Sequence, residues 1–429
     1  MKIGVNITAL QSGHRMRGIG SVVINFINNI DEADRKRHSF VFYMKQNDSW
    51  QEALDLLDLT NLQYDIEYLK TPKPLLKFRL PGRLNIIVSA FNKFFGLVRL
   101  SVGRPLPGKE NIDCYLHTDQ SESMPGGRGY RKVMIAYDII PYVMEWDYLH
   151  SYKTALLRGK SRAAAIRAAG NRWSYKKRLK INTRRADKIL AISSHTASDY
   201  IKFLKTPKSK LSVQLLGVSP PNEIKAVKPD FRYLPTSWNY FKRKFEFDNA
   251  PFLLYVGGAD PRRRLDDLVT AFNHLRAEGQ NYKLVLTGDT MQGPENIPTL
   301  SIQYALRDSS YLDDIIFLGF VDEDIKNWLY KNAAALIYPS LYEGFGLPVL
   351  EAMIQGCPVI CYDNAAIREV AGDTPLYASD PETIRQHILD LMAMGQTELN
   401  KIKSMNVRRA QKFSWAKTSK GILNSLEKA

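Results

Sequence analysis

The chain has 429 residues, of which 45% are hydrophobic and 11% aromatic, and a formal net charge of +16. That length exceeds one ordinary core and that apolar content excludes general disorder, so two globular domains are expected. The charge asks for an anionic partner: nucleic acid, an anionic membrane or a phosphorylated substrate. Three cysteines, Cys114, Cys357 and Cys361, make neither a disulfide framework nor a zinc site and point to a reducing cytosol.

The opening MKIGVNITAL enters a strand at 2–10 without a basic leader, and no run of about 18 apolar residues follows anywhere. A polar loop ends in RGIG at 17–20 and a helical pattern, SVVINFINNI, continues it. Strand, glycine loop and helix together open a Rossmann-like unit. Short apolar strands are predicted at 38–44, 112–117, 132–138 and 188–193, each followed by loop or helix signals. The pattern restarts near 250, with strands at 251–258, 283–288, 315–320, 333–340 and 357–363 and a helix at 265–275. A proline-rich, charged stretch of poor periodicity places the linker at about 220–250. The fold class expected is α/β, with two Rossmann-like domains whose parallel sheets face a cleft. The expected domains are 1–235 and 236–411, with a final helix at about 412–429 packing back on the first.

Parallel sheets bind ligands beyond the carboxyl ends of their strands. After the strand AAALIYPS comes GFGLP, then a helix, VLEAMIQG, in which Pro348 suits the first turn and Gly356 the end. Gly344 and Gly346 leave amides uncovered at that helix N-terminus, where an anion is favoured. Glu343 precedes the helix and Glu351 lies one turn inside it, so both carboxylates can face one pocket. Carboxylates beside a phosphate site suit the hydroxyls of a sugar nucleotide.

The string YPSLYEGFGLPVLEAMIQGCPVICYDNAAIREVAGD resembles the two-glutamate block of the retaining glycosyltransferases of family 4 (glycosyl transferases group 1), which have the GT-B fold. YVGGADPRRRLDDLVTAF, IIFLGFVDEDIKNWLY, IGVNITAL…RGIG, IAYDIIP and ADKILAISSHTASDYI resemble its other landmarks. The resemblance implies that Glu343 lies by the donor sugar and Glu351 holds the ribose hydroxyls, with Arg263 against the diphosphate. Arg262, Gly344, Phe345, Gly346 and Leu347 complete the implied donor side. It also implies no metal and no cofactor beyond the donor, a UDP or GDP sugar. Gly258 stands where many members carry a further basic residue, and Tyr137 where many carry histidine. On the acceptor side stand Gly18, Gly20, His117 and Tyr137. Asp138, the second candidate catalytic carboxylate, either caps the following helix or touches the acceptor.

Positive charge concentrates in two stretches. Residues 70–109 hold nine lysines and arginines and no acid, around an aromatic stripe of Leu84, Ile87, Val88, Phe91, Phe94, Phe95 and Val98. A basic helix with such a stripe suits an anionic membrane interface, here through about 70–110. The second stretch, 153–185, also lacks acids and suits either a diphosphate-linked acceptor or the same membrane face. The expected function is transfer of a hexosyl unit from a nucleoside diphosphate sugar to a glycan acceptor, lipid-linked, in cell-envelope or exopolysaccharide synthesis. The expected place is the cytoplasmic face of the membrane, as a peripheral protein. A soluble or protein acceptor, a catalytically silent partner, and another GT-B enzyme such as a phosphorylase or epimerase are the alternatives. Nucleic acid is not an expected partner, because no recognised binding module accompanies the charge.

Overall fold

Ile3 and Val5 are fully buried in β1, Lys2–Asn6. The strand ends earlier than its apolar run, because Asn6 Oδ1 accepts hydrogen bonds from Thr8 N (2.9 Å) and Thr8 Oγ1 (2.7 Å). That side-chain bond turns the backbone into a single 3-10 turn, Thr8–Gln11. The computed structural model describes residues 1–13, 15, 18–47, 49–69, 106–107, 112–220 and 251–428. The expected interfacial helix within 70–110, apart from 106–107, and the expected linker from 221 to 250 lie outside the described residues.

Contacts divide the chain into two units, one of Met1–Gly217 with Trp415–Ala429 and one of Val218–Ser414. In the first, β1 is joined by β2 (Ser39–Lys45), β3 (Gln63–Leu69), β4 (Cys114–His117), β5 (Arg131–Ala136), β6 (Lys188–Ala191) and β7 (Leu211–Val213). All pair in parallel, in the order β3-β2-β1-β4-β5-β6-β7. The order reverses between β1 and β4, where Ile3 stands opposite Cys114. The glycines expected in a loop are helical: Gly18 and Gly20 fall in the first turn of the helix Gly18–Asn28. The helix Trp415–Lys428 buries Trp415, Ile422, Leu423 and Leu426 in this unit, and its Ser419 Oγ donates to the Phe26 carbonyl.

The second unit contains β8 (Phe252–Val256), β9 (Lys283–Thr287), β10 (Ile315–Gly319), β11 (Ala335–Tyr338), β12 (Val359–Tyr362) and β13 (Leu376–Ala378). They too are all parallel, in the order β10-β9-β8-β11-β12-β13, and the order reverses between β8 and β11. Each unit is therefore a Rossmann-like α/β unit, as the strand pattern predicts. The loops that follow β8 and β11 lie at the switch point, where a ligand finds open backbone. At that edge two glycines meet. Gly288 has φ 144°, and a Cβ there would lie 2.1 Å from the Gly257 carbonyl oxygen. Gly288→Ala is expected to destabilise the unit by at least about 2 kcal/mol, read as a lower unfolding midpoint in calorimetry.

Candidate functional site

The loop after β8 carries three successive arginines on a 3-10 turn, Pro261–Arg263, closed by Arg264 in the left-handed region at φ 44°. Each is held differently. Arg262 spends its donors on the protein: Nη1 lies 3.0 Å from Asp260 Oδ2 and Nε donates to the Tyr342 carbonyl at 3.1 Å. Arg264 pairs with Asp267, Nη2 to Oδ1 at 2.6 Å. Arg263 instead lies over the Tyr338 ring, 5.4 Å from its centroid, with Nε 3.6 Å from Glu343 Oε1. Its Nε and Nη1 are buried and make no hydrogen bond. Buried guanidinium nitrogens without partners are costly, and an oxyanion would satisfy them. A Cβ at Gly257 would fall 1.7 Å from Arg263 Nη1, so that glycine leaves room for the guanidinium.

Glu343, in the loop after β11, is 7% exposed. Its Oε1 accepts from Tyr338 Oη at 2.9 Å and Ser340 Oγ at 2.8 Å, with Arg262 Nη2 at 3.7 Å. Burial alone would raise this carboxyl. The Arg262 and Arg263 guanidiniums, then the two hydroxyls, outweigh burial and hold it below its ordinary value. The loop is fixed from two sides, since Leu341 N donates to the Arg262 carbonyl and Asn364 Nδ2 to the Ser340 carbonyl, each at 2.8 Å.

Gly346 caps the helix Leu347–Ile354 at φ 98°, with Pro348 in its first turn. Gly344 and Gly346 thus lead into the helix N-terminus, where the helix dipole favours an anion, while Val349 N and Leu350 N bond the Gly346 carbonyl. Phe345 is buried, edge-on to Phe413 at 6.2 Å, so its side chain supports the loop from behind. One turn into the helix, Glu351 Oε1 accepts from Lys326 Nζ at 3.1 Å and Oε2 from Tyr330 Oη at 3.0 Å. Burial raises the Glu351 carboxyl, and the Lys326 ammonium opposes that rise without overturning it. Sequence reasoning missed Lys326, Tyr330, Tyr338 and Ser340. The one signal available was the spacing of Lys326 and Tyr330, which puts them on one helix face.

The first unit holds the residues expected on the acceptor side. His117 and Tyr137 end or follow the paired strands β4 and β5. Gln120 ties their loops together: Nε2 donates to the Asp138 carbonyl (2.6 Å), and Oε1 accepts from Tyr137 N (3.0 Å) and Tyr200 Oη (2.7 Å). Tyr137 is buried with its hydroxyl unpartnered. Asp138 is half-buried, and Oδ1 accepts from Ile140 N at 3.3 Å. Gly18, exposed, and Gly20, buried, sit on the helix that follows β1.

His117 is fully enclosed beside the Tyr115 ring, with Nε2 3.3 Å from the Glu122 carbonyl oxygen. Burial lowers it from 6.5 to about 4. The unfolded chain therefore binds the proton first as pH falls. The stability that neutral His117 contributes is complete above pH 6.5 and is lost progressively down to about pH 4, a change of about 3 kcal/mol. Denaturant melts across that window should show His117→Gln losing much less stability than the parent on acidification.

Among the described residues no group of three or more His, Cys, Asp or Glu side chains is placed to hold a metal ion. No helix among them is long and apolar enough to cross a membrane.

Residues 236–408 match the family model described as glycosyl transferases group 1. O-antigen chain mannosyltransferase B of Escherichia coli is 28% identical over 244 residues, which cover 55% of this chain and 59% of that protein. Serotype-specific mannosyltransferase WbdA of Escherichia coli is 30% identical over 242 residues, 55% of this chain and 28% of that protein. The chain thus spans 59% and 28% of the lengths of these two relatives. The structure of Anabaena Alr3699/HepE in complex with UDP and glucose superposes with a TM-score of 0.62, at 14% identity and full coverage of both chains. That likeness is one of fold, the GT-B class of paired Rossmann-like domains. The loops that carry Arg263, Glu343 and Glu351 therefore lie within the residues that match the glycosyl transferases group 1 model.

Proposed function

We propose that the chain is a retaining glycosyltransferase of family 4 that moves a hexosyl unit, mannosyl by the names of its relatives, from a nucleoside diphosphate sugar to a glycan acceptor. The observation that carries this proposal is Arg263, a guanidinium with two buried nitrogens that make no hydrogen bond, ion-paired to a buried carboxylate. A diphosphate seated there satisfies those nitrogens, and the amides of the Leu347–Ile354 N-terminus add to the same field. Glu343, kept ionised, accepts hydrogen bonds from hydroxyls of the donor sugar, and Glu351, fixed by Lys326 and Tyr330, accepts them from the ribose. As the anomeric carbon–phosphate bond breaks, negative charge grows on the leaving oxygen. In this proposal Arg263 and the amides meet that growing charge. The acceptor oxygen attacks from the same face, and its proton passes to the departing phosphate. In this proposal arginine and backbone do the work of a metal.

In the first unit, Tyr137 and Asp138 take the acceptor. A lipid-linked glycan on the cytoplasmic leaflet is the acceptor class proposed, with residues 70–110 as the first membrane contact; the relatives' O-antigen names support assembly of an envelope polysaccharide. The test is transfer from an α-linked nucleoside diphosphate mannose to a lipid-diphosphate glycan in the presence of EDTA, with the product anomer assigned by NMR. An α-linked product formed at full rate is expected. A β-linked product overturns retention, and activity restored only by a divalent cation overturns the role given to Arg263.

A further inference from the structure

Lys153 to Arg185 contains twelve lysines and arginines and no acidic residue, and most of it forms the 24-residue helix Arg162–Arg185. Its inward side is accounted for. Arg172 and Lys176 pair with Glu145, Arg178 donates to the Ser121 carbonyl and Arg185 to the Met124 carbonyl at 2.7 Å. Asn182 is fully buried and bonds Glu122 O and Met124 N at 2.8 and 2.9 Å. These contacts fix the helix against the sheet by polar bonds more than by apolar burial.

The outward side has another composition. Arg162, Ile166, Trp173, Lys177, Lys180 and Arg184 recur at three- and four-residue multiples, so they form one stripe along about 36 Å of helix. Ile166 is 49% and Trp173 43% exposed, and Lys177 Nζ lies 4.8 Å from the Trp173 ring centroid. The neighbouring helix Tyr152–Leu157 adds Leu157, 70% exposed. Trp146 is 58% exposed, under the Arg158 guanidinium. Among the described residues Arg162, Lys177, Lys180 and Arg184 make no ion pair. Two tryptophans and two large aliphatic side chains thus present apolar surface to water on one side of the unit.

We infer that this helical hairpin, through Trp146, Leu157, Ile166, Trp173 and the flanking cations, is a docking surface for an anionic phospholipid membrane. The inference deepens the membrane part of the proposal above and rests on it, but places the contact on described residues outside 70–110. Charge complementarity selects an anionic partner, and the apolar side chains select among anions. Leu157 and Ile166 have no face on which a nucleic-acid base can stack, whereas both gain by entering the acyl boundary beside tryptophans at headgroup depth. Cations along one helix face also suit a plane of phosphates, where each cation strengthens partition separately.

Flotation with phosphatidylcholine vesicles, with and without phosphatidylglycerol, tests the surface on the full chain. The variants are Leu157→Ser with Trp173→Ser, and Arg162, Lys177, Lys180 and Arg184 each changed to Gln. Both sets change solvent-facing groups, and unchanged thermal unfolding controls for the fold. The parent is expected to float only with anionic vesicles. Each variant set should lower the partition coefficient about tenfold or more, and added salt should weaken the parent but not the Gln set. Parent-like flotation of both sets overturns the inference, as does absence of parent flotation or displacement of vesicles by single-stranded RNA. Stabilisation by a nucleotide sugar, measured on the same samples, reports separately on the transferase: its loss would sink that proposal and leave the surface standing.

Discussion

Arg263→Ala is expected to lower sugar transfer about 100- to 1000-fold, read as kcat/KM with the donor varied and confirmed by loss of donor-induced thermal stabilisation. The expectation rests on how differently the three arginines are held. Arg262 and Arg264 have carbonyl and carboxylate partners within 3.1 Å, so they serve the fold of the loop. Arg263 instead keeps two buried nitrogens without hydrogen bonds, its Nε 3.6 Å from Glu343 Oε1, and is the arginine proposed to meet an incoming anion. The substitution also removes one of the two cations that hold Glu343 ionised, so its acid limb should move to higher pH. Arg263→Lys is a useful companion. It returns the charge but not the planar fork, and partial recovery is expected because a diphosphate engages a guanidinium through more than one oxygen. Parent-like transfer by Arg263→Ala would remove the site from the phosphate.

The second large effect is on stability. Arg35 is 5% exposed behind the helix Gly18–Asn28. Its Nε donates to the Ile30 carbonyl at 2.9 Å, Nη1 to the Asp58 and Thr60 carbonyls at 2.9 and 2.7 Å, and Nη2 to the Ile27 carbonyl at 3.3 Å. One side chain thus bonds carbonyls at and after the end of that helix and fastens it to the turn before β3. Arg35→Met keeps the stem and removes every donor, leaving buried carbonyls unpaired. The expected cost is about 3–5 kcal/mol, seen as a fall of about 10 °C in the midpoint of the first unit. A fall no larger than that of a surface substitution would show that water replaces the guanidinium there.

The central strands were legible because they are covered on both faces. β1, β4, β5, β8, β9 and β11 read as short apolar runs and appear within a few residues of the predicted places. Of the four edge strands, β10 was predicted at 315–320 and the other three were not. β3 alternates Tyr, Asp, Ile and Glu on an exposed edge and so has no apolar run, while β7 and β13, three residues each, are too short to show a period. The helix Arg162–Arg185 was visible only as charge. Four of its residues are buried and ion pairs to Glu145 hold it, so it lacks the apolar stripe by which a helix is usually recognised. At the site, the two glutamates could be singled out because they sit in one continuous string. What holds them could not: Lys326 and Tyr330 come from the helix before β11, and Tyr338 is also an ordinary core aromatic of its strand. Such partners become visible only once the topology brings the loops after β8 and β11 to one edge.

The central claim is that the second unit binds a nucleoside diphosphate sugar through Arg263, Glu343 and Glu351. The most direct measurement is thermal unfolding of the parent and of Glu351→Gln with a panel of GDP-, UDP- and dTDP-sugars, because a ligand that binds the folded state raises its midpoint with concentration. A nucleoside diphosphate mannose should stabilise the parent, and Glu351→Gln should lose most of that shift. No stabilisation of the parent by any member of the panel, or an equal shift in both proteins, would contradict the account.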